Sequence, residues 1–316
     1  MRTLGWLVMV TVAGCAGDGG PASVAFVTPG TGTAFTRDHL GTSGALVANV
    51  EVEVAVEGDV ARVAIAVGDG TLGYVADNKL AAEVAQSGAV TLTATALDDT
   101  DIPLATATVD ITIDDPMVAD CKGWLDLYQL QYTSGPAMQG VADPVTVTLP
   151  LNGVAYRYSG NTSQRKTLFG DCTLMKSLAQ AAPIVRSHDV QEIIDIGIYN
   201  YRCIDQTMTP PNCSMSQHAY AKAIDLAEFV TGDGTHYSVL NDWVIDSTGT
   251  TCTATTENDK DAWLHQLICE LKGAHTWNIV LTPNYNADHR NHFHVDMTKD
   301  SDFIKRAHDD SAPLDF

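Results

Sequence analysis

The chain has 316 residues, 45% of them hydrophobic, with 39 Asp and Glu against 18 Lys and Arg and a formal charge of −21. It is longer than one typical domain, so two domains are expected, each with enough apolar residues for a core. The acidity argues against nucleic acid as a partner, because phosphates are neutralised by Lys and Arg, and it suits a secreted-type surface.

The first residues read as an export signal. Met1-Arg2 is a short basic start, and the apolar run from Leu4 to Ala13 is too short to span a bilayer as a helix. The run ends in Val12-Ala13-Gly14-Cys15, which resembles the bacterial lipobox. That resemblance implies a diacylated Cys15 as the mature N-terminus. With Ala16-Gly17 following instead of an aspartate, it implies an outer-membrane lipoprotein facing the periplasm or the cell surface. An ordinary signal peptide with a chance cysteine is the alternative. Ala16 to Ala22 is small and Gly-rich, so residues 1–22 are expected to be signal peptide and flexible tether.

Residues 23–114 carry strand patterns throughout. Val47 to Val56 and Ala105 to Ile113 alternate with period two, and Arg62 to Val67 and Val90 to Leu97 lie between turns such as Gly68-Asp69-Gly70. Several short strands in about 90 residues predict an all-β immunoglobulin-like sandwich. Without a histidine cluster, cysteine or tryptophan, it reads as a spacer or binding module. Aromatics for stacking on sugars are nearly absent.

Asp114-Asp115-Pro116 reads as a hinge, and residues 119–316 as a second domain of mixed character. Val145 to Leu149 and Gln191 to Tyr199 are expected strands. Leu174, Leu178, Ala181 and Val185 recur at helical spacing behind Asp171 as a cap, with Pro183 expected to kink or shorten the helix. Asp259 to Lys272 predicts a second helix, and Thr276 to Leu281 and His292 to Met297 predict strands. Helices on a mostly antiparallel sheet make this an α+β expectation.

Setting Cys15 aside leaves six cysteines, all beyond residue 120, an even number that suits disulfides in an exported protein. Six allow fifteen connectivities. Cys203 with Cys213, across a Pro-Pro-Asn turn, and Cys252 with Cys269 are the favoured local pairs, and Cys121 with Cys172 follows by elimination. None has the CxxC spacing of a thiolate zinc knuckle.

The chemistry concentrates in two stretches. Asp288 to Asp296 reads D-H-R-N-H-F-H-V-D. On a strand, His292, His294 and Asp296 share one side, with Phe293 and Val295 on the other. Imidazoles beside carboxylates suit zinc, although a His-rich polar strand edge gives the same pattern. The second stretch is Ser216 to Asp225, S-Q-H-A-Y-A-K-A-I-D. Asp225 falls in the apolar run Ala223 to Ala227, where a carboxylate is costly unless paired or metal-bound. It can bind metal with His218 and His294, pair with Lys222, or cap a local turn. Three such ligands leave a fourth position open, as catalytic zinc requires.

The Ser216–Asp225 run is similar to the S-x-H-x-x-G-x-A-x-D signature of zinc D-alanyl-D-alanine carboxypeptidases and their peptidoglycan endopeptidase relatives. Together with Asn284 to Asp296 and Tyr201-Arg202-Cys203, it resembles the extensin-like C-terminal domain family within that clan, over roughly Asp120 to Thr298. The family glycine is Ala221 here. The resemblance implies a zinc-peptidase-like domain with Zn2+ held by His218, Asp225 and His294. It implies that His292 activates or orients a water whose pKa zinc lowers to about 7, and that Arg202 binds a substrate carboxylate or the developing oxyanion. His289 is a weaker supporting group, Asp296 an orienter of a ligating histidine, and Ser216 a loop support or an acceptor of a substrate hydrogen bond. The function so implied is a zinc metallopeptidase cleaving peptidoglycan stem or cross-link peptides. The competing reading is a non-catalytic peptidoglycan-binding or adhesion lipoprotein that retains the zinc fold.

Overall fold

The computed structural model describes residues 20–245 and 251–304. The expected export signal and lipidated Cys15 lie outside the described residues. The chain divides into two compact units, Met1–Met117 and Val118–Phe316. No helix among the described residues is long and apolar enough to cross a membrane.

The first unit has nine strands: β1 (Ser23–Thr28), β2 (Ala34–Thr36), β3 (His39–Leu40), β4 (Leu46–Glu57), β5 (Arg62–Val67), β6 (Gly70–Tyr74), β7 (Lys79–Val84), β8 (Gly88–Leu97) and β9 (Pro103–Asp114). They form a five-stranded sheet in the order β2-β9-β8-β5-β6, and a four-stranded sheet in which β4 pairs with β1, β3 and β7. Period-two patterning decides which side chains are inward. Val50, Val52 and Val54 of β4 are buried, while Asn49, Glu51 and Ala55 on the alternate positions face water. They share one core with Ile65, Leu92 and Ile111 of the other sheet. Burying each such side chain contributes roughly 1.5–3 kcal/mol.

The second unit runs α1 (Cys121–Leu127), β10 (Tyr132–Ser134), β11 (Pro144–Thr148), β12 (Ala155–Tyr158), β13 (Thr167–Asp171), α2 (Cys172–Ser187), β14 (Val190–Gly197), a 3-10 turn (Gln217–Tyr220), β15 (Ala223–Thr231), β16 (His236–Ser238), α3 (Val239–Asp242), α4 (Asp259–Gly273), β17 (Ile279–Leu281), a second 3-10 turn (Ala287–His289), β18 (Phe293–Asp296) and β19 (Phe303–Ile304). Strands β10, β11 and β13 form a small sheet. The larger one has the order β12-β14-β15-β18-β17-β19, with β16 also on β15. The three disulfides are Cys121–Cys172, Cys203–Cys213 and Cys252–Cys269.

Helix α2 starts where Asp171 accepts a hydrogen bond from the Thr173 amide at 3.1 Å, and it buries Leu174, Leu178, Ala181 and Val185. Pro183 does not shorten it. The helix continues to Ser187. Proline removes one i→i−4 bond, but its neighbours Ala182 and Val185 are 2% exposed each, so burial outweighs the missing bond.

The expected architecture, an α+β zinc-peptidase-like domain on an antiparallel sheet behind an immunoglobulin-like sandwich, is corrected by the structure. The protein is β-rich, with 40% of residues in strands and 18% in helices, spread over several sheets. The larger sheet of the second unit is mixed, since β12 runs parallel to β14 and β19 to β17. The physical reason is that β10, β12, β16, β17 and β19 hold two to four residues each. Such short segments carry too little periodicity to be read from side chains, and their backbone pairing comes from the neighbouring strand.

Candidate metal centre

Two of the candidate ligands are brought together by strand register. Strands β15 and β18 pair antiparallel with Asp225 opposite His294, Leu226 opposite Phe293 and Ile224 opposite Val295. Because side chains alternate, the apolar pairs turn into the core, where Ile224, Phe293 and Val295 are unexposed. Asp225 and His294 then stand together on the other face. The third side chain arrives by a reversal just before β15. In the 3-10 turn Gln217–Tyr220, Ser216 caps the His218 amide through its hydroxyl at 3.3 Å, which is the loop-supporting role expected of it. Ala221 closes the turn in the left-handed region at φ 52° and ψ 33°, and its amide donates to the His218 carbonyl at 3.1 Å.

The donor atoms converge. His218 Nε2 lies 3.1 Å from Asp225 Oδ1 and 3.1 Å from His294 Nδ1, and His294 Nδ1 lies 2.9 Å from Asp225 Oδ1. Each ring is oriented from behind. His218 Nδ1 donates to the Ile198 carbonyl at 2.8 Å, which leaves Nε2 bare toward the centre. His294 Nε2 meets Asp296 Oδ2 at 3.0 Å, and the other oxygen of Asp296 accepts the Thr298 amide at 2.8 Å. Outer hydrogen bonds of this kind fix the rings of metal-ligating histidines.

The electrostatics favour a cation between these groups. Burial works against a charge on His294, but hydrogen bonds to Asp225 and Asp296 lift it to about 9. Burial likewise opposes ionisation of Asp225, and hydrogen bonds from His218 and His294 hold it well below the usual carboxylate range. Two imidazole nitrogens facing each other at 3.1 Å need positive charge between them, from a proton or a metal ion. Ligands at about 2.0–2.1 Å from a tetrahedral zinc stand about 3.3 Å apart. The observed spacings fit after small adjustments. The other cluster, Asp143 with Cys121 and Cys172, has both sulfurs in a disulfide and offers no thiolate.

His292, just ahead of β18, comes within 3.3 Å of Asp225 Oδ1 through Nε2, while its Nδ1 meets Asn291 Oδ1 at 2.8 Å. Burial pushes its pKa down. His289 stands beside it, with ring centroids 5.2 Å from His292 and 5.7 Å from His294. Burial, helped by His294 and His292, brings His289 down to about 3. Both rings are held toward the neutral form.

These groups open onto a cavity of about 700 Å³, lined also by Arg202, Met215, Leu281 and Tyr285. Arg202 is set by a short ladder closed by the Cys203–Cys213 bridge. The Ser216 amide donates to the Arg202 carbonyl at 3.1 Å, and the Ile204 amide to the Ser214 carbonyl at 2.9 Å. Among the described residues its guanidinium reaches only the Cys203 carbonyl, at 3.4 Å. It is a half-buried cation that pairs with no carboxylate among the described residues, in a strongly acidic chain.

His218, Asp225, His294, His292, His289 and Arg202 therefore line or form one site, together with Asp296 and Ser216. Sequence reasoning missed Asn286 and Asn291, although both stand in the same N-Y-N-A-D-H-R-N-H run. It missed the Ile198 carbonyl, which has no side-chain signature. It also missed Asp195 on β14, an unexposed carboxylate bonded by Arg165 at 2.6 Å, with its second oxygen unpartnered. Burial, against the pull of Arg165, raises Asp195 to about 6.

Among solved structures, the chain is similar to the fibronectin(III)-like modules of Clostridium thermocellum CbhA, with 13% identity, 30% of this chain and 99% of that one covered, and a TM-score of 0.23. It is also similar to Parabacteroides merdae β-glucuronidase, with 11% identity over 40% of this chain and 15% of that one, at a TM-score of 0.21. A Bacteroides ovatus glucan-utilisation protein, SGBP-B, solved with a mixed-linkage heptasaccharide, gives 10% identity over 75% of this chain and 51% of that one, at 0.22. Overlaps this loose carry no argument about function. No curated protein matches. Residues 132–305, more than half of the chain and the whole of the site just described, match the family model of the extensin-like protein C-terminus, and the chain belongs to that family.

Proposed function

We propose that the second unit is a zinc metallopeptidase that hydrolyses an amide bond in peptidoglycan stem or cross-link peptides, working in the cell envelope and tethered to the outer membrane through a lipidated Cys15. The observation that carries this reading is the convergence of His218, Asp225 and His294 at an open cavity that His292, His289 and Arg202 also line. His218 Nε2, Asp225 Oδ1 and His294 Nδ1 would hold the ion. Zinc, when bound, supplies Lewis acidity that polarises a carbonyl and makes water a competent nucleophile near neutral pH.

The chain's own residues supply the rest. His292 stands against Asp225 at the edge of the candidate ligand cluster, so it takes a proton from the attacking water and returns it to the leaving nitrogen. Arg202 offers a planar pair of donors to a substrate carboxylate or developing oxyanion. Asp296 and the Ile198 carbonyl keep the two ligating rings from turning.

The test is mass spectrometry of muropeptides before and after incubation with zinc-loaded protein. Purified protein should carry about one zinc per chain, and His292→Ala should keep the metal and lose hydrolysis. Zinc bound without any cleavage, together with sacculus binding unchanged by His292→Ala, would select the non-catalytic binding lipoprotein instead.

A further inference from the structure

The tautomer of His289 can be read from its neighbours. Asn286 Oδ1 lies 3.2 Å from the His289 backbone nitrogen and 2.6 Å from the His289 ring nitrogen Nδ1. A main-chain N–H only donates, so the Asn286 atom facing it is the carbonyl oxygen. Placing the amide NH2 there would set two donors against each other. The same oxygen faces Nδ1, which must then be the protonated nitrogen. Nε2 has no hydrogen-bond partner among the described residues and is not sealed from solvent, and His289 lines the cavity. The ring cannot easily turn, because Tyr285 packs against it with centroids 5.2 Å apart and His292 stands at the same separation. Asn286 is itself fixed as the cap of the turn Ala287–His289, in extended backbone at φ −163°.

We propose that Asn286 is a positioning residue that locks His289 in its Nδ1–H tautomer, so that His289 presents a bare Nε2 to the cavity and accepts an N–H or O–H of the ligand. The cavity then has two addresses of opposite polarity. Arg202 takes an anionic group, and His289 takes a hydrogen-bond donor and disfavours a carboxylate, whose lone pairs would face its own. The use of an amide, where a carboxylate would satisfy the same two N–H groups, fixes the tautomer without adding negative charge. The claim about substrate rests on the peptidase reading, whereas the claim about the tautomer does not.

The full chain labelled with 15N-histidine, free of metal and substrate at pH 7, gives long-range 1H–15N spectra in which the two tautomers differ; His289→Gln assigns the signals. Wild type should show His289 predominantly as Nδ1–H. Asn286→Asp, which keeps an oxygen for both donors, should preserve that pattern. Asn286→Ser, whose shorter hydroxyl can cap the backbone N–H but does not reach the ring, should leave Nδ1–H the minority form. With zinc restored, Asn286→Ser should lose muropeptide turnover at least about tenfold and Asn286→Asp much less, the loss expected for one misdirected hydrogen bond. Wild-type His289 protonated on Nε2, or a tautomer indifferent to Asn286→Ser, overturns the proposal. Should Asn286→Ser fail to fold, the wild-type and Asn286→Asp spectra still decide it. Nδ1–H without cleavage sinks the peptidase reading alone, and Nε2–H with cleavage sinks this proposal alone.

Discussion

At the scale of single residues, the site separates atoms that touch the ion position from atoms that aim them. Asp296 is of the second kind. Its carboxylate holds His294 from behind at 3.0 Å, whereas a backbone carbonyl does the same service for His218. Losing such an outer partner typically costs 10–100-fold in metal affinity. Asp296→Ala should therefore weaken zinc binding by about that factor in competition with a chelator, while the far-ultraviolet circular dichroism stays unchanged. An affinity within twofold of wild type would show that register alone aims His294. The cluster of His218, Asp225 and His294 was legible in the sequence because imidazoles and a carboxylate within an apolar run are chemically conspicuous. Asn286, Asn291 and the Ile198 carbonyl were not, because amides and backbone oxygens declare a role only once a ring is placed against them.

At the scale of elements, the alanine at 221, where the sequence resemblance expects a glycine, has a structural meaning. The residue that closes the turn carrying His218 sits at φ 52°, where glycine is at ease and an L side chain is strained by about 1–2 kcal/mol. Ala221 is fully buried, so the methyl also fills space. Ala221→Gly removes the strain, while the added freedom of the unfolded chain takes back about 0.4–1 kcal/mol. The expected outcome is a gain of roughly 1 kcal/mol or less in urea unfolding, with zinc affinity unchanged. A clear loss of stability would mean that methyl packing outweighs the backbone strain. Elements with long periodic runs were readable in the sequence. Strand β4, strand β9 and helices α2 and α4 formed within a few residues of expectation. The mixed sheet of the second unit was not readable, because β12 and β19 are edge segments of four and two residues whose parallel pairing no side-chain pattern specifies.

At the scale of the whole molecule, stability against pH carries the signature of Asp195. It is unexposed, paired with Arg165 through one oxygen, and its other oxygen has no partner. Tyr156 and Asp225 lie close enough to be coupled to its charge. Its folded pKa of about 6 stands above the value of about 3.9 expected in the unfolded chain. Between these values the folded state holds a proton that the unfolded state has already released, so stability falls as pH rises through that window. The penalty is absent below about pH 4 and complete above about pH 6. A shift of about two units corresponds to about 3 kcal/mol at 1.36 kcal/mol per unit. Asp195→Asn removes the titration and leaves Arg165 without its partner, an offset that does not vary over this range. Urea unfolding of both proteins at pH 4, 5, 6 and 7 should therefore give a difference that moves in favour of the variant by about 3 kcal/mol between pH 4 and 6, and then levels. The subtraction cancels the other carboxylates of this acidic chain. A difference that stays flat across the window would mean that Arg165 keeps Asp195 ionised at both ends, and that the buried pair adds no pH dependence to the fold.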